Sequence, residues 1–214
     1  MYALTHASLT HTFCGNYAIA NAITDELVAL ANEKGTVFWK AQGMLLHSQL
    51  SALTGKASSA IETGTAAVAA FRSTGSTVWV PLYLASLTRA YADLGKFDDA
   101  WRSIREATSA IETTMERWWE AEVHRTAGEI ALRAPEPHTP KAQAYFERAL
   151  AVARGQQAKS WELRAAMSMA RLWRDQGKRD EARDLLAPVY GWFTEGFDTL
   201  DLKQAKALLD ELQT

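Results

Sequence analysis

Apolar residues recur at three- and four-residue steps along most of the chain, in blocks that stop and restart. The clearest blocks lie near the middle: Leu84, Leu87, Tyr91 and Leu94, then Ala100, Ile104, Ala107 and Ile111. Such steps put the apolar side chains on one face of an α-helix and the polar ones on the other. The first block predicts a helix over residues 80–94. Gly95 follows, where a helix end asks for left-handed backbone angles, and Phe97-Asp98 opens a second helix. The pair returns as Ala166, Met169, Ala170 and Trp173, then Gly177, then Ala182, Leu185, Leu186 and Val189. A last stripe of Leu202, Ala205, Leu208, Leu209 and Leu212 predicts a terminal helix over residues 200–212. Asp198 or Thr199 could cap it, Asp201 would sit in its first turn, and Lys203, Lys206, Asp210 and Glu211 would face water.

The blocks belong to a repeat. Tryptophans stand at 39, 79, 119 and 161, spaced 40, 40 and 42. The pattern Gly-x-x-x-x-Ala occurs as Gly15…Ala20, Gly55…Ala60, Gly95…Ala100 and Gly177…Ala182. From Trp to Ala is 21 residues in three units but 23 from Trp119 to Ala142. Two residues have therefore entered that interval, and it contains the cluster Pro135-Glu-Pro-His-Thr-Pro140. A loop is where an insertion costs least. The period divides the chain into units of about 1–38, 39–78, 79–118, 119–160 and 161–198, with a cap helix over 199–214. Each unit should be two antiparallel helices, A and B, crossing closely where glycine and alanine leave room.

Composition supports this and narrows the setting. The chain is 214 residues long, with five prolines, eight tryptophans and a formal net charge of −2. So few breakers permit helix nearly throughout. The charge points neither to nucleic acid nor to an anionic membrane. No apolar run approaches the ~20 residues of a membrane helix, and no charged segment followed by an apolar core stands at the N-terminus, so no signal peptide is expected. Cys14 is the single cysteine, which suits a reducing cytoplasm.

The run Leu87-x-x-x-Tyr91-x-x-x-Gly95-x-Phe97-x-x-Ala100 resembles the tetratricopeptide repeat, and Ala170-x-x-Trp173-x-x-x-Gly177-x-x-x-x-Ala182 is similar, with Arg179 at the aromatic place. A period of 40 exceeds the usual ~34 and implies longer helices. A HEAT array has a comparable period but does not account for the Gly-to-Ala spacing. The resemblance implies an all-α, right-handed superhelical solenoid of about five helix pairs with a capping helix, as one domain. The second half carries a narrower resemblance. Arg117-Trp-Trp-Glu-Ala-Glu-Val-His-Arg125, Ser160-Trp-Glu-Leu-Arg-Ala-Ala and Gly191-Trp-Phe-Thr-Glu-Gly-Phe-Asp-Thr199 are similar to the C-terminal repeat region of large bacterial signalling proteins. Those proteins join a class III adenylate/guanylate cyclase or a DNA-binding domain to an AAA-type ATPase. This chain would be their sensor or scaffold end, without the catalytic domains. The first helix has no preceding shield, which suits a segment of a longer chain or a shorter product with a frayed first helix.

Candidate chemistry is sparse. Gly55-Lys56-Ala57-Ser58 lacks the leading glycine of a phosphate loop and falls on the repeated turn. His6 and His11 do not share the face of an i, i+4 metal pair, and Cys14 beside them fits no strong zinc spacing. His47, His124 and His138 fall in separate units with no nucleophile beside them, and Asp98-Asp99 reads as a helix start. No cofactor, metal or catalytic residue is expected. The four tryptophans could stack a ligand, but their register suggests rings wedged between successive units.

By the tetratricopeptide resemblance, the second, fifth, ninth, twelfth and thirteenth positions of each helix A face a concave groove. Counting from Gly95 gives Leu82, Ala85, Arg89, Ala92 and Asp93. Trp119 sets Glu122, Arg125, Glu129, Leu132 and Arg133, and Gly177 sets Arg164, Met167, Arg171, Arg174 and Asp175. Arginines 125, 133, 164, 171 and 174 would form a basic stretch for a carboxylate-bearing peptide or acidic helix, unless Glu122, Glu129 and Asp175 neutralise it. The sequence thus predicts a non-catalytic scaffold or sensor that binds a protein or peptide, including its own upstream catalytic domains. It predicts no nucleic-acid or membrane partner. A metabolite sensor or an enzyme built in the groove are the rival readings.

Overall fold

The computed structural model describes residues 1–213, and every element among them is a helix. The chain divides into two compact units, with the break between Arg117 and Trp118. The break falls within one residue of the boundary expected between the third and fourth repeats.

The first unit holds three helix pairs: α1 (Tyr2–Phe13) with α2 (Tyr17–Glu33), α3 (Val37–Leu53) with α4 (Ala57–Ser73), and α5 (Val80–Asp93) with α6 (Phe97–Thr114). Within this unit α2 also packs on α3 and α4 on α5, and α1, α3 and α5 lie side by side. The second unit repeats the scheme with α7 (Glu120–Arg133) and α8 (Thr139–Gly155), then α9 (Lys159–Asp175) and α10 (Arg179–Tyr190). A last helix, α11 (Leu200–Gln213), packs on α9 and α10.

The repeat markers do the work assigned to them. Ala20, Ala60, Ala100, Ala142 and Ala182 are all fully buried, so each B helix can press its backbone close to its partner. Gly95 and Gly177 turn the chain at φ +72° and +78°. The turn four residues before each tryptophan is also left-handed every time: Gly35 at φ 63°, Gly75 at 81°, Met115 at 59° and Gln157 at 54°. Glycine marks only the first two, yet all four keep the conformation. The repeat imposes the turn even where a side chain makes it costly.

The proline cluster forms the loop between α7 and α8, with Pro140 in the first turn of α8, where its missing N–H costs nothing. His138 caps that helix, its Nδ1 accepting the Lys141 backbone N–H at 3.1 Å. The stripe Leu202, Ala205, Leu208, Leu209 and Leu212 of α11 is wholly buried. Thr199 does not cap α11 through its side chain; its hydroxyl donates back to the Gly196 carbonyl at 2.7 Å. Among the described residues, no helix is long and apolar enough to cross a membrane.

Candidate functional site

Side chains of α7, α9 and α11 form one face of the second unit. It carries the densest charge network of that unit, and most of the expected groove residues lie on it. The centre is Arg125, which is 5% exposed. Its Nε and Nη2 donate to the two carboxylate oxygens of Glu122 at 2.7 and 3.0 Å, and its Nη1 donates to Glu129. Glu122 is itself 2% exposed and also pairs with Arg164, 3.1 Å away on α9. Burial alone would ease the proton off Arg125, but Glu122 and then Glu129 outweigh it and hold the guanidinium more firmly protonated than usual. Ser168 of α9 lies 3.5 Å from Arg125 and donates to Glu129 at 3.4 Å. The Arg125 pairs lie within α7, and the contacts that tie α7 to α9 are Glu122 with Arg164 and Ser168 with Glu129.

The network continues onto α11. Arg164 lies 3.7 Å from Asp201 and sits over the Trp161 ring. Burial, with Glu122 nearby, raises the Asp201 pKa above the ordinary carboxylate range, although Arg164, Arg125 and Arg171 pull the other way. Arg174 reaches Glu211 at 2.6 Å and Asp175 at 3.0 Å. Arg179 donates to the Glu211 carbonyl. Among the described residues Arg171 donates only to the Gln204 amide oxygen, at 3.4 Å.

The sequence-derived set thus separates. Glu122, Arg125 and Met167 were expected to line a groove but are buried, because neighbouring A helices pack directly over them. Glu129, Arg164, Arg171 and Arg174 are part exposed; Arg133 and Asp175 are exposed. Arg89 and Asp93 lie on α5 in the first unit, part exposed and exposed. The basic stretch is balanced: Glu122, Glu129, Asp175, Asp201 and Glu211 neutralise most of it. Asp201, Gln204 and Glu211 were missed as site residues. Their helical spacing on the capping helix α11 was legible, but the spacing does not show which side chains meet α9.

No family model matches the sequence, and no curated protein matches it.

Two clefts on the other helix faces were not foreseen. In the first unit a cleft of about 310 Å³ opens between α4 and α6 over α5, lined by Val68, Leu84, Leu87 and Tyr91. Arg72 of α4 crosses it to Glu106 of α6 at 2.5 Å. In the second unit a cleft of about 220 Å³ lies against α9 beside the exposed Trp192. There Lys159 and Arg154 hold Glu162 at 2.7 and 2.9 Å, and they lower its pKa despite its burial.

The tryptophans touch neighbouring helices. Trp119 and Trp161 meet edge to face across α7 and α9 at 4.8 Å, Trp39 meets Tyr2 across α3 and α1 at 6.5 Å, and Trp79 meets His6 at 5.5 Å. They work as packing between helices and not as a free stacking ladder. Among the described residues, no three His, Cys, Asp or Glu side chains gather in a way that could hold a metal.

Proposed function

We propose that this chain is a non-catalytic interaction module: a helical-repeat scaffold or sensor that docks a protein or peptide on the α7–α9–α11 face. One observation carries the reading. The face is built from a rigid, buried ion-pair core (Arg125, Glu122, Arg164) with part-exposed arginines and amides around it, and it is a surface rather than an enclosed pocket. Rigid elements that present polar groups at fixed spacing suit peptide recognition. Reaction chemistry would instead call for a nucleophile, a base and an orienting group within reach of one another. The sequence likeness of residues 117–125, 160–166 and 191–199 places the module, as a proposal, at the regulatory C-terminal end of a multidomain bacterial cyclase–ATPase signalling protein. Its own catalytic domains would then be among its partners.

A metabolite sensor is the second reading. The α4–α6 cleft favours it, since its volume reaches the lower end of ordinary ligand pockets, roughly 300–1,000 Å³. Its charged rim is already internally paired, Arg72 with Glu106 and Arg102 with Asp99, so hydroxyls of Thr65, Tyr91 and Ser103 are the polar groups left to meet a ligand.

The interaction reading is tested by recovering partners from cell extract with the wild type and with the double variant Arg171→Glu/Arg174→Glu. Recovered partners are then purified and titrated by calorimetry against both. The expected outcome is loss of binding in the double variant, with helicity unchanged. Equal affinity in both proteins would remove this face from the function.

A further inference from the structure

Four arginines hold the α7–α9 face, and three of them have carboxylates. Arg125 has Glu122 and Glu129, Arg164 has Glu122 and Asp201, and Arg174 has Asp175 and Glu211. Arg171 has none: among the described residues no carboxylate oxygen lies within 4.0 Å of its guanidinium. Among the described residues its single polar contact is the Gln204 amide oxygen at 3.4 Å, which is long for a hydrogen bond. Among the described residues the remaining N–H donors of its planar fork have no acceptor, and the part-exposed side chain projects from near the C-terminal end of α9.

The surroundings make this vacancy for an anion specific. Burial lowers the Arg171 pKa, and the neighbouring Arg125 and Arg174 lower it further. Glu129 and Glu211 oppose that shift, but each is bonded to another arginine. A positive charge sits where burial disfavours it, and among the described residues no carboxylate pairs with it directly. Buried or half-buried charges are ordinarily paired.

We propose that Arg171, with Gln204 beside it, anchors a carboxylate on the docked partner: an acidic side chain or a chain terminus of a protein segment. The guanidinium fork matches a carboxylate through two parallel hydrogen bonds. The Gln204 side-chain amide, exposed on α11, adds an N–H donor at the edge of the same site. One cation and one amide suit a singly charged group. A phosphate dianion would call on more positive charge, and Arg125, Arg164 and Arg174 are already neutralised.

The inference rests on the binding-face reading, and its test is kept separate from it. The side-chain Nε–Hε signals of the arginines are followed by NMR while the full chain is titrated with three probes. These are a blocked peptide of three glutamates, its glutamine counterpart, and inorganic phosphate. The variants are Arg171→Gln, Gln204→Glu and, as control, Arg183→Gln, whose partners Asp180 and Asp184 lie on α10. The expected result is a saturable shift of the Arg171 signal with the glutamate peptide and none with the glutamine peptide. Affinity should fall at least roughly tenfold in Arg171→Gln, as for loss of a charge-assisted hydrogen bond, and remain unchanged in Arg183→Gln. Gln204→Glu should fill the site from within: it should also abolish peptide binding, and it should raise Tm. This variant changes only an exposed residue, so it keeps the test decisive if Arg171→Gln folds poorly. A missing shift at Arg171, unchanged affinity in Gln204→Glu, or phosphate binding the site more tightly than the peptide would each overturn the proposal. If the peptide binds at Arg171 while the double charge reversal leaves partner recovery intact, Arg171 is a carboxylate site that the partner does not use, and the interaction reading at this face fails with the anchor. The opposite pair of results sinks the anchor alone.

Discussion

Five residues hold the same place in successive A helices: Ser8, Ser48, Thr88, Gly128 and Ala170. All are buried. They share no chemistry but smallness, and the contacts explain why that suffices. The Ser8 and Ser48 hydroxyls donate to the carbonyls of Ala20 and Ala60, at 3.2 and 2.7 Å, so a polar atom is satisfied at the closest crossing of each pair. At Gly128 there is no side chain at all, because the Phe146 ring of α8 occupies the space a Cβ would need. Gly128→Ala should therefore destabilise the second unit by about 1–3 kcal/mol through overpacking, although alanine is the better helix former. Urea unfolding followed by circular dichroism checks this; a gain in stability would mean that the α7–α8 crossing is looser than described. The Gly-to-Ala markers were legible in the sequence because identical residues recur. This second small-residue position was not, since its five members span four residue types and only a contact shows what they have in common.

Helix boundaries could be read from periodicity, because stripe and stop signals coincide. The expected helix over residues 80–94 is Val80–Asp93, and the terminal helix over 200–212 is Leu200–Gln213. Charge pairing could not be read in the same way. Arginines at helical spacing mark a face, but whether they are free depends on the neighbouring helix, and α11 brought Asp201, Gln204 and Glu211 against α9. His124 of α7 shows the same dependence on a neighbour. Burial lowers its pKa; Glu120 on its own helix opposes the shift, and Arg148 of α8 adds to it, with Tyr145 stacked alongside at 6.3 Å. A histidine with a lowered folded pKa favours the neutral ring in the fold. Its contribution is fully present above the unfolded pKa of about 6.5 and is lost as pH falls through the folded value. His124→Gln should therefore lose less stability than the wild type between pH 7 and pH 5. Parallel urea curves at the two pH values measure it, and an identical or larger loss in the variant would reverse the sign argued for His124.

At the scale of the whole molecule, a 40-residue period becomes three helix pairs in one compact unit and two pairs with the capping helix in the other. The architecture was legible because the repeat supplies each landmark several times. The candidate site was legible only in part. The expected groove positions did converge on one face in the second unit, but packing buried Glu122, Arg125 and Met167 and paired most of the arginines. What that leaves to a partner is the part-exposed surface around Arg171. The central claim is that this surface, and not the α4–α6 cleft, is where the protein works. Hydrogen exchange of the full chain, with and without a partner recovered and purified as above, tests it most directly. The account expects slowed exchange in α9 and α11 around Arg171 and Gln204, with α4 and α6 unchanged. Protection confined to α4 and α6, with α9 and α11 exchanging as in the free protein, would contradict it.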